Sequence, residues 1–184
     1  MEINVLIWIH QNLHGLHWVN VLMSLITNLG EMGIAAIIAG VVLLCIKKTR
    51  WVGVAVVIAL ILDFVVVNLI LKNAFNRPRP WLEYGELSAF YESINLIVPT
   101  DASFPSGHSA ISMAGAIAIV LGFGKKGVVA VVIAVIIALT RLFLCVHYPT
   151  DVLAGVIVGG LCGVAGHFLS KLIKNKWFNK GEKV

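Results

Sequence analysis

Three clusters of cationic and titratable side chains stand out in this sequence, each at the end of an apolar run. Arginine offers a phosphate two parallel hydrogen bonds, whereas lysine offers a point charge. Histidine can attack phosphorus or donate a proton. The clusters therefore indicate phosphoryl chemistry. Their members are Lys72 and Arg79 in the first cluster, Ser106, Gly107 and His108 in the second, and Arg141, His147 and Asp151 in the third.

The basic residues and the glycine turn have the properties of a phosphate-binding site. Lys72, Arg79 and Arg141 carry enough positive charge to surround one phosphoryl group. The turn Ser106-Gly107-His108 opens an apolar run, and a helix that starts there directs unpaired amide hydrogens toward an anion. Gly107 allows the backbone to approach the anion closely. We expect five of these residues to contribute to phosphate binding: Lys72, Arg79, Ser106, Gly107 and Arg141.

The histidines supply candidate catalytic groups. Pro149 favours a helix start, so His147 precedes this helix and Asp151 lies in its first turn, within reach of His147. A histidine nucleophile must be neutral and held in one tautomer, which a carboxylate that accepts its second N–H achieves. We expect His147 to attack phosphorus, Asp151 to orient it and His108 to act as the general acid. Water then hydrolyses the phosphohistidine.

Arg77 lies between Lys72 and Arg79 but has no role in the reaction just described. Two interpretations remain open for its side chain. It contacts a second phosphate of the substrate, or it contacts lipid headgroups at the membrane surface.

Composition sets the environment in which these residues act. The chain has 184 residues, 12% of them charged and 59% hydrophobic, with a mean hydropathy of +0.95, whereas soluble domains carry about a quarter charged residues. The net charge of +5 is scattered between apolar runs, which argues against a nucleic-acid surface. A single domain, 1–184, is expected: an all-α integral membrane helical bundle with five transmembrane helices, over roughly 31–46, 51–71, 106–123, 127–146 and 150–170.

Two further segments flank the spans. Residues 1–30 combine apolar positions at helical spacing with scattered polar residues, which favours an interfacial amphipathic helix, although a sixth span remains open. Residues 73–105 form the long extracytoplasmic loop. Its aromatic residues are interpreted as an interfacial belt in preference to a substrate lid; they are Trp81, Tyr84, Phe90 and Tyr91.

The basic residues also set the orientation. Ten of the fourteen lysines and arginines follow spans one, three and five, and short loops rich in these residues stay in the cytoplasm. The C-terminus is therefore expected in the cytoplasm, and the three clusters on the outer face of what we take to be a bacterial plasma membrane. Asp63, inside the second span, is interpreted as structural support that forms a hydrogen bond with another helix, for example with Thr140 or Ser112, in preference to a proton carrier.

The three clusters resemble the signature of the type 2 phosphatidic acid phosphatases. Six residues separate Lys72 from Arg79-Pro80, Pro105-Ser106-Gly107-His108 follows, and five residues separate Arg141 from His147. The resemblance implies a helical bundle around a metal-free site with the residue roles given above. One departure is Thr140, where the family often has serine before the arginine. Soluble vanadate-dependent haloperoxidases and membrane sugar-phosphate phosphatases share the signature, and the membrane setting argues against the haloperoxidases.

The sequence thus predicts a membrane lipid phosphatase that needs no cofactor, no metal and no protein partner, and whose partners are its lipid phosphate substrate and membrane lipids. Undecaprenyl diphosphate is the favoured substrate. Phosphatidylglycerophosphate and phosphatidic acid are the alternatives, and a headgroup transferase is a more distant one. The non-enzymatic alternative is a small membrane transporter or scaffold, because many glycines and alanines allow close helix packing.

Overall fold

The computed structural model describes residues 2–30, 33–94 and 99–181, and within these ranges the chain is helical and contains no strand. A π-helical segment, Phe64–Leu71, joins the fourth helix to the fifth, and a 3₁₀ turn, Gly124–Gly127, joins the eighth to the ninth. The α-helices are α1 Glu2–Leu13, α2 His17–Leu29, α3 Ile34–Cys45, α4 Arg50–Asp63, α5 Lys72–Phe75, α6 Pro80–Glu83, α7 Glu86–Ser93, α8 Gly107–Phe123, α9 Val128–Phe143 and α10 Pro149–Gly181.

Three of the described helical stretches are long and apolar enough to cross a membrane: Arg50–Glu83, Gly107–Phe143 and Pro149–Trp177. The apolar helix α3 is shorter. The stretch Gly107–Phe143 contains two of the predicted spans, because α9 folds back on α8 at the 3₁₀ turn. Ala116 and Ala134 accordingly share a buried cluster.

Helix α10 packs against α8 without an intervening side chain. A Cβ atom added at Gly159 would lie 2.0 Å from the carbonyl oxygen of Ala110, and one at Gly155 would lie 2.5 Å from that of Ser106. Glycine is required at both positions because any larger residue would push the two backbones apart. The close approach brings the first turn of α10 beside the first turn of α8.

The basic turns and the three clusters lie at opposite ends of the bundle. Val52 after the α3–α4 turn, Gly122 before the α8–α9 turn and Lys171 near the end of α10 line one cleft. Lys72, His108 and the other cluster residues gather at the other end. The helices therefore separate the charges in the way that the sequence pattern predicts.

Residues 2–30 of the N-terminal segment form two helices, α1 and α2, joined by a turn. They contain 12 and 13 residues, so each is roughly 20 Å long, less than the ~30 Å of a hydrocarbon core. Leu6 of α1 is fully buried against α7 and the segment 144–148. Helix α1 thus packs on the end of the bundle that holds the clusters, and its interfacial location stays a prediction.

The loop 73–105 contains short helices and is partly a core element. Phe90 and Tyr91 of α7 are buried beside Leu6, and the Tyr91 hydroxyl donates to the carbonyl oxygen of Cys145 (2.9 Å). The interpretation of these two rings as an interfacial belt is wrong, because they pack inside the protein. Residues 95–98 of the loop lie outside the described residues.

Asp63 does not form the predicted helix-to-helix hydrogen bond. Its side chain is fully buried at the end of α4, and neither carboxylate oxygen has a hydrogen-bond partner among the described residues. Thr140, one expected partner, donates its hydroxyl to the carbonyl oxygen of Ile137 (2.6 Å) in its own helix. The structural role assigned to Asp63 therefore lacks the contact on which it was based.

Candidate active site

One cavity of about 350 Å³ opens at the cluster end of the bundle. Its polar walls come from segments that lie far apart in the sequence. They are the C-terminal end of the long helix that starts with α4, the loop before α8, the first turn of α8, the end of α9 and the segment before α10. The predicted site residues that line the cavity are Lys72, Arg79, Gly107, His108, Arg141 and His147. An acidic residue that we did not predict, Asp101, lines it as well.

A sharp turn brings Lys72 and Arg79 to the same cavity. Helix α5 ends at Phe75 and is followed by Asn76, whose φ of 38° lies in the left-handed region that asparagine tolerates better than most residues. Arg79 is extended, as residues before proline usually are, and Pro80 then starts α6. The chain therefore reverses between the two cations, so that both point into one space.

Arg79 is fixed by backbone oxygens. Its Nε donates to the carbonyl oxygen of Asp101 (2.8 Å) and its Nη1 to that of Val146 (3.1 Å), and its side chain is 4% exposed. Nη1 also lies 3.3 Å from Nε2 of His147. This guanidinium therefore joins the loop before α8 to the segment that carries His147.

Asp101 pairs with two of the predicted phosphate ligands. Its Oδ2 pairs with Lys72, and its Oδ1 accepts from Nη2 of Arg79 (2.5 Å). Burial alone would raise the pKa of Asp101, but Lys72 and Arg79 lower it to about 2. The carboxylate thus places negative charge between the two cations. In the sequence, the feature that could have indicated Asp101 is its position as an acidic residue four positions before Pro105.

His147 is buried and held by a backbone carbonyl. Its Nδ1–H donates to the carbonyl oxygen of Ser103 (2.8 Å), whereas Oδ2 of Asp151 lies 3.6 Å away. This bond leaves Nε2 unprotonated, and its lone pair faces Nη1 of Arg79 (3.3 Å) at the cavity wall. Burial lowers the pKa of His147 to about 3 despite the opposing effect of Asp151, and Arg79 adds to the lowering. The imidazole is therefore neutral at pH 7, as a nucleophile requires.

Asp151 orients His147 less directly than the sequence predicts. Its Oδ2 accepts from the Ser103 hydroxyl and from the amide of Tyr148 (3.0 Å). The expected acceptor of the Nδ1 proton was this carboxylate; the structure assigns that position to the carbonyl of Ser103. Ser103, which sequence reasoning missed, thus lies between the two, and nothing in a spacing pattern marks such a backbone contact.

The residues of the turn before α8 have two different positions: the Ser106 side chain contacts the helix, and Gly107 faces the cavity. The Ser106 side chain caps α8, because its oxygen accepts from the amide (3.5 Å) and the hydroxyl (2.9 Å) of Ser109. The amide of Ser106 donates to the carbonyl oxygen of Asp151 (3.0 Å). Gly107 faces the cavity, where an added Cβ would lie 3.5 Å from Nζ of Lys72. The Ser106 oxygen is therefore engaged by α8, and Ser106 is not among the residues that line the cavity. Its contact with phosphate stays a prediction.

Arg141 approaches the cavity from the end of α9. It is 3% exposed, and its Nη1 donates to the hydroxyl of Thr27 on α2 (2.6 Å). The N-terminal segment thus contributes a contact to the site, which the sequence did not predict because Thr27 belongs to no motif.

Arg77 is directed away from the cavity. Its guanidinium donates to Oδ1 of Asp151 (2.7 Å), to the hydroxyl of Thr150 (2.8 Å) and to Oε2 of Glu2 (2.6 Å). Arg77 therefore does not line the cavity, where one of its two interpretations would place it beside a second phosphate, because a buried carboxylate and a residue of α1 hold it behind His147.

Comparisons with known proteins agree with this geometry. Residues 48–174 match the PAP2 superfamily. An undecaprenyl-diphosphatase of Sulfolobus acidocaldarius is 32% identical over 120 residues, which make up 64% of this chain and 54% of that relative. The chain spans about half the length of the first curated relatives that it matches.

Two solved structures have a similar fold. The transmembrane PAP2 type phosphatidylglycerolphosphate phosphatase from Bacillus subtilis has a TM-score of 0.67 and 26% identity, with 95% of this chain and 85% of that chain covered. LpxE from Aquifex aeolicus has a TM-score of 0.68 and 27% identity, with 90% and 93% covered. The family match covers most of the chain and includes all three clusters, and this helical membrane protein belongs to the PAP2 superfamily.

Proposed function

We propose that this protein is a membrane lipid phosphatase that works through a phosphohistidine on His147. The observation that carries the proposal is the single cavity lined by two imidazoles and three cationic side chains. Family membership supports the same chemistry.

The reaction follows from the positions of these groups. Lys72, Arg79 and Arg141 bind the phosphoryl oxygens and offset their charge, so the reaction is proposed to need no metal ion. Nε2 of His147 attacks phosphorus in line, the bond from phosphorus to the leaving oxygen breaks, and His108 donates a proton to that oxygen. Water then attacks the phosphohistidine, its proton returns to His108, and the P–N bond breaks to release phosphate.

The proposal includes an orientation and a span count. We propose five transmembrane helices, α3, the helix that begins with α4, α8, α9 and α10, with the C-terminus in the cytoplasm and the cavity at the outer face of a bacterial plasma membrane. The separation of the basic turns from the cavity supports this orientation. No protein partner is needed in this proposal.

Undecaprenyl diphosphate is the proposed substrate. The similarity to an undecaprenyl-diphosphatase supports it, and it agrees with the orientation proposed above, which puts the cavity at the outer headgroups. Phosphatidylglycerophosphate is the second candidate, since a structural relative is a phosphatidylglycerolphosphate phosphatase; phosphatidic acid is the third. The contacts of Arg77 remove one argument for a diphosphate, because a second phosphate was one of the two interpretations open for this side chain.

A phosphate-release assay tests the proposal. Purified protein in detergent and EDTA is given each of the three lipids, with His147→Ala as the inactive control. We expect wild-type turnover without metal, with undecaprenyl diphosphate hydrolysed fastest. If no lipid is hydrolysed, or if His147→Ala matches the wild type, the phosphatase proposal fails and a transporter or scaffold becomes the better account.

A further inference from the structure

The side chain of Arg77 forms a network behind the candidate nucleophile. The guanidinium contacts the first turn of α10 at Asp151 and Thr150, pairs with Glu2 of α1, and lies 3.9 Å above the ring of Tyr148. Three hydrogen bonds and one cation–π contact thus converge on one cation that is only partly exposed. An arginine that merely reached lipid headgroups would not be bound on so many sides.

Asp151 is the centre of this network. It is fully buried, Oδ1 accepts from Arg77 (2.7 Å), and Oδ2 accepts from Ser103 and Tyr148. A buried carboxylate without a cationic partner is strongly unfavourable. Arg77 therefore supplies the compensating charge for the carboxylate that lies beside His147.

Ser103 completes a closed path from Arg77 to the nucleophile. The amide of Ser103 donates to the backbone carbonyl of Arg77 (2.8 Å), its hydroxyl donates to Asp151, and its carbonyl accepts Nδ1–H of His147 (2.8 Å). Arg77 thus holds Ser103 twice, through its own backbone and through Asp151. Any displacement of Ser103 moves the acceptor that fixes the tautomer and direction of the imidazole.

Glu2 extends the network to the N-terminal helix. Its Oε2 accepts from Arg77 (2.6 Å), and its Oε1 accepts from the amide of Thr150 at the start of α10 (3.0 Å). One carboxylate therefore satisfies both an orphan amide of the helix start and the outer face of the guanidinium. This connects the docking of α1 to the position of Asp151.

We propose that Arg77 is a positioning residue: by holding Asp151 and Ser103 it keeps Nε2 of His147 directed at the phosphoryl group, and Glu2 holds Arg77 in place. The inference rests on the proposed phosphatase function. It goes beyond that function because it gives Arg77 a role in positioning the nucleophile and no role in binding the substrate. A positioning residue and a phosphate ligand affect different kinetic quantities, so the two roles can be separated.

The test compares Arg77→Gln and Arg77→Lys with the wild type on one lipid monophosphate and one lipid diphosphate. Arg50→Gln, which removes a cation at the opposite end of the bundle, is the matched control. We expect Arg77→Gln to lower kcat by about 10²-fold on both substrates, as misplacement of a reacting group does. KM and the inhibition constant of inorganic phosphate stay unchanged. Arg77→Lys restores part of kcat, because lysine keeps the charge and loses the fork.

The outcomes distinguish this inference from the function on which it rests. Unchanged inhibition by phosphate also demonstrates that the variant is folded, and Glu2→Gln should lower kcat in the same direction by less. An unchanged kcat in Arg77→Gln overturns the positioning role while the phosphatase function stands. A defect confined to the diphosphate, or a weaker inhibition by phosphate, overturns it in favour of a substrate contact. Loss of phosphate release in the wild type itself refutes the function.

Discussion

Two sets of ion pairs flank His147, and they differ in whether an entering phosphate competes for their cations. On the cavity side Asp101 pairs with Lys72 and Arg79, and its side chain is 51% exposed. Behind the imidazole Asp151 pairs with Arg77 and is 0% exposed. A phosphate that enters the cavity competes with Asp101 for the same cations, whereas nothing in the reaction requires the pair behind His147 to open.

The two carboxylates therefore differ in how strongly they hold their cations. The half-exposed carboxylate of Asp101 holds its cations with a pair that solvent weakens. Arg79 keeps its bonds to the backbone of Asp101 and Val146 if that carboxylate leaves. The buried carboxylate of Asp151 cannot lose its partner without a large cost. We therefore expect changes behind His147 to affect the rate, and changes at Asp101 to affect phosphate affinity.

The largest expected effect is that of Asp151→Asn. It removes the negative charge that offsets Arg77 and stabilises His147 as positive charge develops in the attack. We expect the single-turnover rate of phosphoenzyme formation to fall about 10³-fold, less than the ~10⁴-fold loss for the aspartate of a Ser-His-Asp triad. The loss is smaller because the carbonyl of Ser103 still fixes the tautomer. Quench-flow measurement checks the rate, and a loss below tenfold would assign Asp151 no role in orienting the nucleophile.

The second effect is on the titration of His147. Because burial lowers its pKa from 6.5 to about 3, the imidazole should stay neutral from pH 7 to 5 with its proton on Nδ1. Between these two pKa values the unfolded chain binds a proton that the folded chain does not, so His147 makes the free energy of unfolding fall as the pH falls. Nitrogen-15 NMR of labelled protein, with His147→Gln for assignment, measures both features. A titration near pH 6.5, or a proton on Nε2, contradicts the prediction.

A smaller effect is expected for Asp101→Asn. Without the carboxylate, Lys72 and Arg79 are more available to an anion, so inorganic phosphate should inhibit more strongly. A half-exposed pair contributes about 1 kcal/mol, which corresponds to roughly a fivefold lower inhibition constant. Inhibition assays measure the change. Glu83→Gln is the matched control, because it also removes one carboxylate. Weaker inhibition would mean that Asp101 orients the cations for phosphate and does not compete with it.

The smallest effect is expected at Asp63. Its carboxylate lies within the helix bundle and has no described hydrogen-bond partner, so Asp63→Asn should leave phosphate release unchanged. The same variant should retain the thermal unfolding temperature of the wild type or exceed it, because the amide is less costly to bury. Abolished function in Asp63→Asn, together with an active His147→Ala, would favour the transporter alternative.

The helices and the meeting of the three clusters were predictable from the sequence. Apolar length marks the long helices, and the asymmetric distribution of lysine and arginine places Lys72 and Arg141 at one end. Family resemblance then joins residues that lie far apart along the chain. These features involve short stretches of sequence, and they predict at which end of a helix a side chain lies.

The directions of side chains in the loops were not predictable in this way. Arg77 and Arg79 lie two residues apart, and in a regular extended segment this spacing would put both side chains on the same side. The segment after the left-handed turn at Asn76 is irregular, and Arg77 contacts Asp151 and Glu2 whereas Arg79 lines the cavity. Spacing alone could not reveal which of the two faces the cavity. The contacts of Ser103 and Glu2 depend on the packing of the loop and of α1 on α10, which no short pattern encodes.

The most direct test of the central claim is to trap the phosphoenzyme. Wild-type protein is mixed with a lipid substrate labelled in the phosphate that is to be transferred, quenched in alkaline denaturant, and assayed for label on the protein, with His147→Ala in parallel. We predict an alkali-stable, acid-labile label on wild-type protein, mapped to His147, and none on the variant. Product release without such a label in a single turnover, or equal labelling of His147→Ala, would contradict the phosphohistidine mechanism.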